Sequence, residues 1–149
     1  MLPELTTNQK GAIAETSIAR AAIKLGIEVY RPFAEGGRFD FVFLIGEQLL
    51  RVQCKWATRR GAVLIVPCYS ARRTRDGLTR RVYTSDEIDA FAVYCDDLDR
   101  CYFLPIARFP GRSQIQLRLE PSRNNQRSGV NWASEFEFAA TLGRQVLGP

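Results

Sequence analysis

Four residues of this sequence have types and spacing that could do chemistry: Glu15, Asp40, Gln53 and Lys55. The chain of 149 residues contains no histidine. Ser-His-Asp and Cys-His catalysis, His-ligated zinc and an imidazole base are thereby excluded, leaving carboxylates, Lys, Tyr, Cys or a bound metal. Two acids, an amide and an amine are what phosphodiester hydrolysis asks for without imidazole. A hard cation held by oxygen ligands polarises a phosphoryl oxygen and lowers the pKa of a bound water. An ammonium group positions that water or offsets the charge of the pentavalent state.

Glu15 stands out by its place on a helix. Apolar spacing predicts a helix over Thr7 to Leu25, closed by Gly26 as a left-handed cap. At about 100° per residue, Gly11, Ala14, Ala19, Ala21, Ala22 and Leu25 spread over one arc around Ile18, with Lys10, Ser17, Arg20 and Lys24 opposite. Glu15 falls near the centre of the apolar arc, too far along the helix for the N-terminal dipole to account for it. A lone Glu so placed more often snorkels to the edge or pairs with a buried Arg.

The other three fall on strands predicted at Arg38–Ile45 and Leu49–Ala57. In the second, Leu50, Val52, Cys54 and Trp56 share one face, and Arg51, Gln53 and Lys55 the other. In the first, Phe39, Phe41, Phe43 and Ile45 leave Asp40 on the face away from the aromatics. A two-residue Gly46-Glu47 turn, with Gly first as a type II′ hairpin requires, pairs Ile45 with Gln48 and, farther along, Asp40 with Gln53. Such neighbours have Cβ atoms about 5 Å apart, and Lys55 follows on the same face. The helix then offers Glu15 to that layer. A plain solvated sheet face explains Gln53 and Lys55 but not Glu15.

Further strands are expected at Ile27–Phe33, Ala62–Val66, Asp89–Tyr94, Cys101–Leu104 and Ile115–Leu119. Ser85 is a possible cap for a short turn, Asp96 to Asp99 form another turn, and Asn131 can cap a final helix in which Trp132, Phe136, Ala139 and Ala140 share a face. An α/β fold results. With 46% hydrophobic and 25% charged residues, the chain is expected to form a single domain over residues 1–149. Cys54, Cys68, Cys95 and Cys101 contain no Cys-x-x-Cys pair and read as small core residues in a reducing compartment. No run of about 18 apolar residues and no signal-peptide pattern is present, so a cytoplasmic protein with no membrane partner is expected.

The net charge of +5 is unevenly spread. Residues 51–81 carry nine bases against one acid, a net +8, whereas residues 82–100 carry −5. Arg59, Arg60, Arg72, Arg73, Arg75, Arg80 and Arg81 make this block, which suits either a polyanion-facing surface or a solvated loop.

Glu15, Asp40 and Gln53-Cys54-Lys55 resemble the PD-(D/E)XK nuclease superfamily, in which a helix Glu precedes an Asp on one strand and an acid-x-Lys on the next. Gln in place of the second acid, with a chain of this size, is most similar to the bacterial group I intron-encoded homing endonucleases. Asp89 to Tyr94, Tyr102 to Pro105, Asn124-Asn125-Gln126 and Asn131-Trp132-Ala133 extend the resemblance over most of the chain.

The resemblance implies a restriction-endonuclease-like core, a mixed central β-sheet flanked by helices. It also implies site-specific cleavage of double-stranded DNA with Mg²⁺, Mn²⁺ being able to substitute. Asp40 becomes the main metal ligand, Glu15 a second, and the Cys54 backbone carbonyl a third; Lys55 orients or deprotonates the attacking water. Gln53 departs from the superfamily pattern because an amide brings no negative charge, and Phe39 stands where Pro usually precedes the Asp. The basic segment at about 58–83 and the amides Asn124, Asn125 and Gln126, in a loop-plus-helix region at about 121–143, become DNA contacts. A single site cuts one strand, so a homodimer or homotetramer is expected, associated with the nucleoid when DNA-bound. A junction resolvase or restriction-type nuclease of the same fold, or an inactive DNA-binding module, are the alternatives.

Overall fold

The computed structural model describes residues 2–121 and 129–143. Helix α1 (Thr7–Lys24) begins at Thr6, whose hydroxyl accepts the Gln9 N–H at 3.1 Å while the Gln9 side chain accepts the Thr6 N–H at 2.9 Å. This reciprocal capping box satisfies two otherwise orphaned donors. Gly26, at φ 83°, turns the chain out of the helix as expected.

Ten strands follow: β1 (Glu28–Tyr30), β2 (Phe41–Ile45), β3 (Gln48–Trp56), β4 (Thr58–Arg60), β5 (Val63–Pro67), β6 (Tyr69–Thr74), β7 (Gly77–Val82), β8 (Ala90–Cys95), β9 (Arg100–Pro105) and β10 (Gln114–Arg118). The central sheet runs β1-β2-β3-β8-β9, with β3 and β8 parallel and the other pairs antiparallel. Strand β8 is buried along its whole length, as its unbroken apolar sequence requires of a strand covered on both faces. On one side, Ala14, Ile18 and Ala22 of α1 pack on Phe43, Val52, Cys54 and Ala92. On the other, a sheet ordered β10-β5-β4 contributes Leu64, Val66, Ile115 and Leu117 to a core shared with Phe91, Val93 and Leu104. Strands β6 and β7 form a separate hairpin.

The β2–β3 register is the expected one, from Ile45 with Gln48 to Phe41 with Val52. Gly46 has φ 62° and Glu47 a negative φ, which fits a type II′ turn and rules out type I′.

Three expectations are corrected. The basic segment, to which the sequence assigned no element, forms the β6–β7 hairpin around Arg75-Asp76. The turn before β8 is organised by Thr84, whose carbonyl accepts the N–H groups of Glu87 and Ile88, and not by Ser85. The final helix does not start at Asn131. A 3-10 turn at Ala133–Phe136 and a one-turn helix α2 (Phe138–Thr141) replace it, broken where extended Glu137 bridges Tyr102 of β9. That break buries Phe136 and Phe138 and leaves Ala139 exposed.

All four cysteines are free. No helix among the described residues is long and apolar enough to cross a membrane.

Candidate active site

Strand β2 ends at Phe41, opposite Val52. The preceding Asp40 N–H also donates to the Val52 carbonyl, at 2.9 Å. Two residues of one strand thus meet one of the other, as in a bulge, and the extrapolated pairing of Asp40 with Gln53 is not made. The Asp40 carboxylate turns instead onto the edge of β3, where its Oδ2 accepts the Cys54 N–H at 2.9 Å. The N–H and C=O of one strand residue point to the same edge. No β2 residue pairs with Cys54, so its carbonyl opens on the side occupied by Asp40.

Glu15 reaches the same point from α1. Its carboxyl lies beside that of Asp40 in the same cleft. Burial, reinforced by the Asp40 charge, holds Glu15 above the usual carboxylate range, and Arg31 only partly opposes this. The two acids line a cleft of about 200 Å³ together with Arg31, Glu35 and the Gly36-Gly37 backbone of the β1–β2 connection. Arg31 and Glu35 were not singled out by spacing, because they lie on an irregular segment with no periodicity to interrupt.

Lys55 approaches from the other side of the sheet. Its Nζ donates to the Tyr69 carbonyl at 2.9 Å and lies 5.0 Å from the centre of the Tyr83 ring, which belongs to the core beneath β4, β5 and β10. Burial pushes the ammonium below its ordinary pKa, against the pull of Cys68 and Asp40. Gln53 alternates onto the Lys55 face and pairs with Phe91. The expectation of one polar layer is therefore corrected. Glu15 packs from the helix side and Gln53 and Lys55 face the opposite side. Asp40, just past the end of β2, is the residue within electrostatic reach of both Glu15 and Lys55.

Among the described residues no group of three or more His, Cys, Asp or Glu side chains converges. Two carboxylates and a backbone carbonyl remain, an all-oxygen set suited to a hard divalent cation. The crowding that raises the Glu15 pKa is what such an ion would relieve, so the residues fit it. The buried Cys54 thiol is pushed well above its ordinary pKa and does not add a sulfur ligand.

Two arginines outside the expected set hold the site in shape. Arg38 donates to Glu87 at 2.6 Å, to the Ser70 hydroxyl at 2.8 Å and to the Val82 carbonyl at 3.0 Å, and stacks 3.8 Å from the Tyr83 ring. It ties the strand carrying Asp40 to the base of the β6–β7 hairpin. Arg51 pairs with Asp89 at 3.1 Å and joins β3 to the start of β8.

Within the basic block, Arg59, Arg60, Arg73, Arg75, Arg80 and Arg81 are all exposed. Three already have partners: Arg59 donates to the Gly61 carbonyl at 3.0 Å, Arg80 stacks 4.5 Å from the Tyr69 ring, and Arg81 pairs with Glu87 at 2.9 Å. The Arg72 side chain, and Asn124, Asn125 and Gln126 altogether, lie outside the described residues.

A mixed sheet with a helix acid, an acid at the end of one strand and a lysine on the next defines a restriction-endonuclease-like fold. The chain belongs to the PD-(D/E)XK endonuclease family, whose model matches residues 5–139, and it is thereby a nuclease. Nucleases of this family generally use divalent metal ions. The solved structure of the bacterial homing endonuclease I-Ssp6803I is similar, with a TM-score of 0.72 over 91% of this chain and 90% of that one at 24% identity, and so shares the fold. No curated protein sequence matches this one.

Proposed function

We propose that the protein is a site-specific endonuclease of double-stranded DNA, of the homing type, that hydrolyses phosphodiester bonds with Mg²⁺. The observation that carries this reading is the meeting of Glu15 and Asp40 at the Cys54 edge of β3, with Lys55 on the other face of the sheet within electrostatic reach of Asp40. Similarity of fold to a homing endonuclease and the Gln53-Cys54-Lys55 sequence favour the homing type over a resolvase or restriction enzyme.

Asp40, Glu15 and the Cys54 carbonyl would hold the cation. When bound, it supplies Lewis acidity at a phosphoryl oxygen and lowers the pKa of a coordinated water; Mn²⁺ also suits the oxygen ligands. The Cys54 N–H fixes one Asp40 oxygen and leaves the other for the cleft. Lys55, partly desolvated, gives up its proton more readily than a surface lysine and so serves as the base for the attacking water. Gln53 supplies an amide oxygen without charge, which leaves the site dependent on Glu15. The exposed arginines of the hairpin bind phosphates, and two or four copies of the chain bring a site to each strand.

Incubation of duplex plasmid carrying a target with protein and Mg²⁺, with and without EDTA, tests the reading. Metal-dependent cutting that Asp40→Ala abolishes is expected; binding without cutting overturns it. That outcome would support a second reading, a DNA-binding module without activity. Its support is the neutral Gln53 and, among the described residues, the lack of any three His, Cys, Asp or Glu side chains placed together to hold a metal.

A further inference from the structure

The outer face of the β10-β5-β4 sheet has no part in the site described above. Its ladders place Gln114 beside Pro67, Gln116 beside Ile65 and Arg118 beside Val63; across β5, Thr58 pairs with Ile65 and Arg60 with Val63. Paired residues project to the same side. Gln114, Gln116, Arg118, Thr58 and Arg60 therefore share one face, while the alternating Leu64, Val66, Ile115 and Leu117 are fully buried beneath it. A groove of about 460 Å³ runs along β10, lined by Arg112, Gln114, Gln116 and Arg118 and closed on one side by Gly129 to Asn131. No carboxylate lines it.

The spacing suits a duplex. Alternate side chains on a strand are about 6.8 Å apart, so Gln114 to Arg118 spans about 14 Å, roughly four base-pair steps of about 3.4 Å. Gln is matched to the N6 and N7 edge of adenine, and Arg to the O6 and N7 edge of guanine or to a phosphate. Sheets are established readers of grooves. Only Ala57 separates β4 from the strand bearing Lys55, so this sheet follows that strand directly in the chain.

We propose that this face reads base edges of the duplex that the site cuts, with Gln114 and Gln116 as specificity-determining residues between Arg112 and Arg118. The inference rests on the nuclease reading for its substrate. A second copy of the chain is the competing occupant, and charge argues against it: a two-fold contact on this face would set Arg60, Arg112 and Arg118 against their own equivalents.

The probe is a library of duplexes of randomised sequence, from which the full chain enriches its preferred sites by binding with Ca²⁺ in place of Mg²⁺. Plasmid cutting with Mg²⁺ is measured separately, as is sedimentation. Both glutamines are exposed, so Gln114→Ala with Gln116→Ala leaves the fold intact. The expected result is a roughly tenfold loss of discrimination at adjacent positions of the enriched sequence, with the sedimentation of the chain unchanged. An unaltered enriched sequence, no enrichment by the parent chain, or a dissociated oligomer each overturns the proposal. Enrichment that depends on the glutamines in a chain that does not cut would sink the nuclease reading and leave this one standing.

Discussion

The Cys54 N–H donates to the Asp40 carboxylate at 2.9 Å, and this bond aims an acid that no ladder partner holds. Asp40 stands immediately before the first residue of β2. Asp40→Asn preserves an acceptor for the amide but removes the charge. Cleavage is expected to fall by at least about 10²–10³-fold, with duplex affinity little changed. Asp40→Ala loses the bond as well, at a stability cost of about 1–2 kcal/mol. Single-turnover cleavage, a binding titration and thermal melting measure the three quantities; an equal loss of binding would make the cluster structural.

Glu15 provides a prediction about pH. Its folded-state pKa is raised above 4.5 by burial and by Asp40, so the folded state holds its proton more tightly than the unfolded chain. Stability contributed by the protonated form is present below that ordinary value and is lost as pH rises through the folded pKa. Glu15→Gln is therefore expected to melt higher than the parent above this window in EDTA, and no differently below it. Mg²⁺ should raise the melting temperature of the parent more than that of the variant. Identical curves in EDTA would remove the crowding of the two acids.

Lys55 is tested by the alkaline limb of the rate profile. Burial lowers its pKa from 10.5, so a base at this position accelerates cleavage with rising pH and levels off below that value. Lys55→Ala and Lys55→Arg should both be inactive at every pH, because guanidinium does not give up its proton. Activity in Lys55→Arg would reassign the side chain to holding charge alone.

The hairpin arginines separate by partner. Arg73 and Arg75 are exposed near the tip, and replacing both with Gln should flatten the log-log salt dependence of binding by up to about 0.9 per lost phosphate contact. Arg51 is committed to Asp89, so Arg51→Ala should cost about 1 kcal/mol of stability and leave the slope untouched. A filter-binding series in NaCl distinguishes the two.

The sequence was most legible where local rules act. The α1 boundaries follow from Thr6, Gln9 and Gly26, and the β2–β3 register follows from a single Gly at the turn. The outlier Glu15 was visible because it broke an apolar arc. That Gln53 and Lys55 lie on the other side of the sheet was not, since helical phase says which way a side chain points but not which face of the sheet receives it. Asp40 escaped the extrapolated register because the ladder rule ends where the strand does. The β6–β7 hairpin was hidden by its composition: it is rich in Arg and Thr and none of its described residues is buried, so no period-2 apolar signal exists. Asp76-Gly77 was the turn mark that could have revealed it. Arg38 was unreadable for another reason, as its partners Ser70, Val82 and Glu87 lie 32 to 49 residues away.

The parallel pairing of β3 with β8 also governs when the site can exist. Its two strands are held together by contacts such as Arg51 with Asp89, 38 residues apart, and the intervening crossover carries the carbonyl and ring that hold Lys55. Non-local closure of this kind is slow and comes late in folding. A ribosome-bound chain short of Cys95 lacks the strand that flanks β3 on the side away from Asp40, so the sheet that carries the candidate site is not yet closed.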